Sequence, residues 1–153
     1  MQIIKRLLTV SASLIASSAF ASPQAFNVDE VSSSGLTKEQ AKQVLIVVLK
    51  HEKYRLSDPG MYIDGDLQNK DGTPNRPGYF DFSLSYETPK AGATAYVGYY
   101  SVNIKTGDIW EVESCLHYRF SALRRLQQQI TKRTGTEIAN AKIARDEVGC
   151  PPK

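Results

Sequence analysis

The stretch Tyr79–Cys115 constrains this chain more than any other. It opens as Tyr79-Phe80-Asp81-Phe82-Ser83-Leu84-Ser85-Tyr86, an alternation of large apolar and polar residues. A period of two puts Phe80, Phe82, Leu84 and Tyr86 on one side of a strand, and Asp81, Ser83 and Ser85 on the other. After a break containing Pro89 and Gly92, Ala95–Ile104 repeats the pattern. Tyr96, Tyr100, Val102 and Ile104 take one face, with Gly98 among them, where a glycine permits a bulge or a close helix. Val97, Tyr99, Ser101 and Asn103 take the other. Lys105-Thr106-Gly107-Asp108 is a short connection with Gly107 where a hairpin needs a left-handed residue. A third strand, Asp108–Ser114, carries Trp110 and Val112. These three strands predict an antiparallel meander.

Helical patterns flank it. Thr37 is placed as an N-cap, Gln40 completes a capping box, and Leu36 and Ala41 sit as a hydrophobic staple. Ala41, Val44, Leu45, Val48 and Leu49 follow at helical spacing, which predicts a helix over about 38–55, buried on much of its circumference. A second helix is expected over 118–133, with Phe120, Leu123, Leu126 and Ile130 as its apolar stripe. Arg119, Arg124, Arg125, Gln127, Gln128, Gln129, Lys132 and Arg133 make up its solvated remainder. Gly135 stops it as a C′ residue, and Thr136 is in place to cap a weaker helix reaching about Glu147. The expected fold is therefore α+β: an N-terminal helix packed on a three-stranded or slightly larger antiparallel meander, then one or two C-terminal helices.

Residues 1–21 have the three parts of a secretory signal. Lys5 and Arg6 form a basic start, Leu7–Ala16 is apolar, and Ala19-Phe20-Ala21 is an A-x-A cleavage site. The apolar run is shorter than the ~20 residues that span a bilayer. A periplasmic protein with no membrane span after cleavage is expected, with a flexible leader over 22–36 and a single domain over 37–153. Removing Lys5 and Arg6 from the 19 basic residues leaves 17 against 16 acidic ones. So even a balance speaks against a nucleic-acid partner, which calls for a basic face or stripe. In an oxidising compartment the two cysteines, Cys115 and Cys150, are expected to pair and tie the C-terminal tail to the third strand. A thiol nucleophile is the alternative, and no cysteine-protease or C-x-x-C signature surrounds either residue.

The longest irregular stretch is Ser57–Gly78, bounded by Asp58-Pro59-Gly60 and Pro74-Asn75-Arg76-Pro77-Gly78. Loops of this length in a compact domain are often functional. Asp64-Gly65-Asp66 invites a calcium reading, which fails on position at Gln68, Asn69 and Asn75. The two histidines, His51 and His117, read as structural or solvent-facing. There is no G-x-S-x-G, H-E-x-x-H or glycine-rich phosphate loop. No catalytic residue, cofactor or metal is expected, and the chain does not read as an enzyme.

Helix, long loop, antiparallel strands and helix, with the hairpin Asn103-Ile104-x-Thr106-Gly107-Asp108-Ile109-Trp110, resemble small cystatin-like and nuclear-transport-factor-like α+β modules. With a cleavable leader and two cysteines, the pattern is similar to the periplasmic immunity proteins of type VI secretion peptidoglycan amidases. The resemblance implies a partner, the cognate amidase effector, whose active site the protein occludes. It also implies a homodimer, since such proteins often form heterotetramers with the toxin. An inhibitor of this kind needs a preorganised protrusion. The 57–78 loop is the candidate, with Tyr62 as aromatic anchor and Asp64, Asp66, Gln68, Asn69 and Asp71 as polar contacts. Tyr99, on the more polar sheet face, joins them as a surface candidate. The rival reading is a periplasmic small-ligand or cell-envelope binding module, its cavity lined by Tyr86, Tyr96, Tyr100 and Trp110.

Overall fold

The computed structural model describes residues 26–65, 67–88 and 92–151. The expected signal segment, 1–21, lies outside them. A 3-10 turn at Val28–Glu30 leads into helix α1, Lys38–His51. Five strands follow: β1 Met61–Gly65, β2 Tyr79–Thr88, β3 Ala93–Asn103, β4 Ile109–Glu111 and β5 Leu116–His117. Helices α2, Ser121–Thr134, and α3, Ala141–Glu147, close the chain. The strands form one antiparallel sheet in the order β1-β2-β3-β4-β5. The architecture is α+β, as expected, and the meander has gained a strand at each edge.

The N-cap of α1 is the expected one. The Thr37 hydroxyl accepts from Gln40 N–H at 3.2 Å, and the Gln40 side chain accepts from Thr37 N–H at 2.9 Å. Ala41, Val44, Leu45, Val48 and Leu49 are all fully buried. They share one core with Phe82, Leu84, Tyr100, Val102 and Ile109 from the sheet and Leu123 and Ile130 from α2. Each fully buried aliphatic side chain of this size contributes about 1.5–3 kcal/mol through lost apolar surface. This core fills one face of the sheet. The helix ends at His51, four residues before the expected boundary, and Lys53 then takes a positive φ of 65°. His51 stacks on Phe120 with ring centroids 3.7 Å apart.

Residues 26–36 were expected to be a flexible lead-in because they lack periodicity. Instead Val31 and Leu36 are buried in the main core. Arg133 of α2 donates to the carbonyls of Val31 and Asp29, which fastens the segment to the helix.

The β3–β4 connection follows its sequence. Gly107 has φ +67°, its N–H reaches Asn103 O at 2.9 Å, and the Asn103 side chain accepts from Lys105 and Thr106 N–H. Gln127, expected on the solvated side of α2, is buried and donates to Gly107 O at 3.1 Å. The tight hairpin leaves that carbonyl inside, and a buried carbonyl needs a donor. Gly135 closes α2 in the left-handed conformation, as expected. The cap of α3 is Asn140 rather than Thr136, its side chain accepting from Lys142 N–H at 2.9 Å.

The second face of the sheet is half covered. Tyr79 and Trp110 pack there with Ala144 and Val148 of the α3 region and with Cys150. Cys115 and Cys150 are bonded, with Cα atoms 5.8 Å apart. The expected pairing therefore holds the C-terminal segment on this face.

Candidate functional site

The uncovered half of the second face is built by cross-strand register. Tyr62, Ser85 and Tyr96 lie abreast on β1, β2 and β3, and beside them lie Asp64, Ser83 and Tyr99. Neighbouring strands are about 4.8 Å apart, so the outer members of each row stand roughly 10 Å from each other across a central serine. Ser83 and Ser85 are fully buried, their hydroxyls 3.3 Å apart. Tyr62 and Tyr96 are 40% and 64% exposed. The face is thus a floor of small hydroxyls between taller aromatic side chains.

Tyr96 reaches this face through a bulge. The register steps from Leu84↔Gly98 to Ser85↔Tyr96, so Val97 has no opposite residue. An unpaired residue reverses the alternation beyond it. Tyr96 therefore stacks on Tyr99, with centroids 5.4 Å apart, instead of sharing a face with Tyr100 as expected. Gly98 marks the place: a Cβ there would sit 2.9 Å from the Tyr100 hydroxyl. The same register corrects the aromatic cavity anticipated from sequence. Tyr86 and Tyr100 share the helix-covered face, while Tyr96 and Trp110 lie on the other. These four side chains cannot line one cavity.

Asp81, Ser83 and Ser85, expected outside, are buried at 4%, 0% and 1% exposure. The partners of Asp81 account for its burial. It takes Arg76 Nη1 at 2.8 Å on one oxygen and the Ser101 hydroxyl at 2.5 Å on the other. A buried carboxylate needs this complete set.

Part of the expected irregular 57–78 stretch is strand β1. Its Met61-Tyr62-Ile63 alternation is too short, between turn residues, to stand out as a strand. The remainder is a braced loop. Gln68 and Pro74 form a bridge, Asn69 N–H donates to Thr73 O at 2.9 Å, and Gly72 N–H to Asn69 O at 2.9 Å. The Asn69 amide bonds Thr73 Oγ1 and Pro74 O, and the Asn75 amide bonds Leu67 O. The Asp71 carboxylate accepts from the Thr73 hydroxyl at 2.6 Å and from its N–H at 3.0 Å, which lowers its pKa. Arg76 roots the loop: beyond Asp81, its Nε donates to Val148 O at 3.0 Å.

The structure thus brings Tyr62, Asp64 and Tyr99 onto one face. Gln68, Asn69 and Asp71 stand in the adjoining loop, with Asp71 and much of Asn69 engaged in bracing it. Asp66 lies outside the described residues. Asp64 and Asp71 each fold onto a near neighbour, Gly65 N–H and Thr73, instead of converging as metal ligands.

A separate polar cluster surrounds His117. Asp108 holds His117 Nε2 at 2.6 Å and Trp110 Nε1 at 3.2 Å, and His117 stacks on Trp110 with centroids 4.2 Å apart. Arg119 Nε donates to His117 Nδ1 at 2.9 Å, which places the ring proton on Nε2, toward Asp108. Both ring nitrogens are therefore engaged. Cys115, needed free for a thiol–imidazole pair, is bonded to Cys150.

An α+β module with a serine-floored, tyrosine-flanked sheet face beside a hydrogen-bonded loop has the features of a protein-binding module. Aromatic side chains of this kind dominate interface energetics, and a braced loop loses little entropy on binding. The family comparison makes the assignment specific. The chain belongs to the type VI secretion immunity protein Tgi2PP family, whose model matches residues 35–142. It also matches a chain in the structure of a type VI secretion system effector–immunity complex from Pseudomonas protegens, with 50% sequence identity and a TM-score of 0.77. That match covers 83% of this chain and 99% of the other. A search of curated proteins returns no match. The matched region takes in α1, the whole sheet and α2, so the face and the loop both lie within it.

Proposed function

We propose that this type VI secretion immunity protein acts in the periplasm, binding a cognate cell-wall-degrading effector and covering its active site. The observation that carries the reading is the family match over 35–142. The Pseudomonas protegens structure is itself an effector–immunity complex, which supports a cognate effector as the partner here too. The periplasm is supported by the signal pattern of residues 1–21 and by the Cys115–Cys150 bond, which persists in oxidising compartments. No helix among the described residues is long and apolar enough to cross a membrane.

In this reading the contact surface is the sheet face of Tyr62, Asp64 and Tyr99 together with the loop bearing Asp66, Gln68, Asn69 and Asp71. The resemblance in sequence points to an amidase as the effector. The residues of this face carry no signature of the bond that the partner cuts, so the assay must separate the chemistries.

The effector that co-purifies with the chain from periplasmic extract is incubated with peptidoglycan, with and without a stoichiometric amount of the immunity protein. Free stem peptides identify an amidase, and shortened glycan strands identify a glycan-cleaving enzyme. Loss of either product on adding the chain supports inhibition, and undiminished digestion would sink the reading. Tyr62→Ala combined with Asp66→Ala is expected to weaken binding while leaving the circular dichroism spectrum unchanged. Light scattering on the complex tests whether the implied homodimer forms.

A further inference from the structure

Helix α2 exposes Arg124, Arg125 and Lys132, and the second sheet face carries charges of both signs, with Arg119, Lys142 and Arg145 near Trp110. There a cleft of about 570 Å³ adjoins Tyr99, between the Arg76 root of the loop, the turn after β4 and the C-terminal end of α3. Its charged lining is Arg76, Asp81, Glu113 and Glu147. Arg76 and Asp81 neutralise each other at 2.8 Å, which leaves two carboxylates without a counter-charge. Glu147 Oε2 accepts from the Tyr79 hydroxyl at 2.7 Å, a neutral donor. Glu113 sits at an exposed position, and among the described residues its only hydrogen bond is through its backbone N–H. Tyr99 and Val112 complete a wall that offers one aromatic and one aliphatic surface.

Two carboxylates lining one cleft favour the entry of a cation. A lysine or arginine side chain meets every feature of this site. Its head balances the carboxylates, its stem covers Val112, and the ring of Tyr99 attracts the charge through its π face. Desolvation, then Tyr96 and Glu113, raise the Tyr99 pKa, consistent with a neutral ring beside the carboxylate.

We propose that this cleft receives a lysine or arginine side chain from a protruding segment of the effector, with Glu113 and Glu147 as counter-charges and Tyr99 as the packing wall. The proposal rests on the immunity reading above and extends it by naming a specificity pocket and the chemistry of its occupant. The pocket is continuous through Tyr99 with the Tyr62–Tyr96 face, so one partner surface can engage both.

The test uses the full mature chain and the purified effector that co-purifies with it, with affinity measured by calorimetry at low and high salt. Charge reversal by Glu113→Lys is expected to weaken binding at least about a hundredfold, and Glu147→Gln and Tyr99→Ala about tenfold each. Arg125→Gln, exposed on α2 and outside the cleft lining, is expected to leave affinity unchanged. Wild-type affinity should fall with salt, and the Glu113→Lys variant should lose that dependence. An effector variant with glutamate in place of the inserted cation should recover binding to Glu113→Lys. If the wild-type chain binds tightly and all three cleft variants stay within twofold of it, the cleft is not the contact and the immunity reading stands. If no effector is recovered or bound by the wild-type chain, both fall together.

Discussion

Single residues decide this fold where the backbone leaves no alternative. Gly107 turns the β3–β4 hairpin at φ +67°, and an added Cβ would stand 2.8 Å from Ile130 Cδ1. Gly107→Ala therefore combines left-handed backbone strain with overlap in the core. It is expected to destabilise the chain by about 2 kcal/mol, read as a lower midpoint in urea. Thr37→Ala removes the hydroxyl that accepts from Gln40 N–H. A loss of about 1 kcal/mol is expected, with no change in the sheet. Arg76 is less legible in sequence, lying in a Pro- and Gly-rich run that reads as plain loop. Only the fold brings Asp81 and Val148 to it.

Among the elements, the loop of residues 67–78 and the C-terminal segment depend on one another. The Arg76 side chain bonds Asp81 on β2 and the carbonyl of Val148, and Cys150, two residues on, is bonded to Cys115. Arg76→Ala is expected to speed hydrogen exchange at the Asn69 and Gly72 amides, whose acceptors lie within the loop, while the α1 amides keep their protection. Unchanged exchange at both would show that the loop is braced by its own hydrogen bonds alone. Replacing both cysteines by serine frees a link between residues 35 positions apart. The chain-entropy model gives a loss of about 3.5–4 kcal/mol for a loop of that length, measurable by urea unfolding of the oxidised and substituted chains.

At the scale of the whole molecule, the two sheet faces have divided their work. The helix-covered face is a packed apolar core, and the other combines a disulfide-held patch with an uncovered half flanked by exposed Tyr62 and Tyr96. The tyrosines report this division. Burial raises the pKa of Tyr118 to about 12 and raises those of Tyr79 and Tyr100 further. These groups stay neutral in the folded chain after their unfolded counterparts begin to ionise near pH 10. Their contribution to stability is complete below that pH and is lost as pH rises toward and through the folded values. Absorbance at 295 nm should therefore show the buried tyrosines ionising last and together with alkaline unfolding. A single transition for all eight tyrosines near pH 10, with the fold intact, would contradict the assigned burial.

The sequence by itself determined the α+β class, the cap of α1, the Gly107 turn, the end of α2 at Gly135 and the disulfide. The first four depend on local chemistry or on a two-residue or 3.6-residue period, and the disulfide follows from a chain with two cysteines and an export signal. It also pointed to Tyr62 and Tyr99 as surface aromatics, through their place on a loop and on a polar face. Tertiary structure decided the rest. The bulge at Val97 carried Tyr96 to the face of Ser83, Ser85 and Tyr99, and period-two reasoning could not follow a register that depends on the neighbouring strand. The burial of Asp81 and the serines depends on Arg76 and on taller cross-strand neighbours, and sequence spacing does not encode either. The cleft that Glu113 and Glu147 both line joins residues 34 positions apart. The return of the C-terminal segment to the sheet, held by the disulfide, by Arg76 and by Tyr79, places both on that cleft.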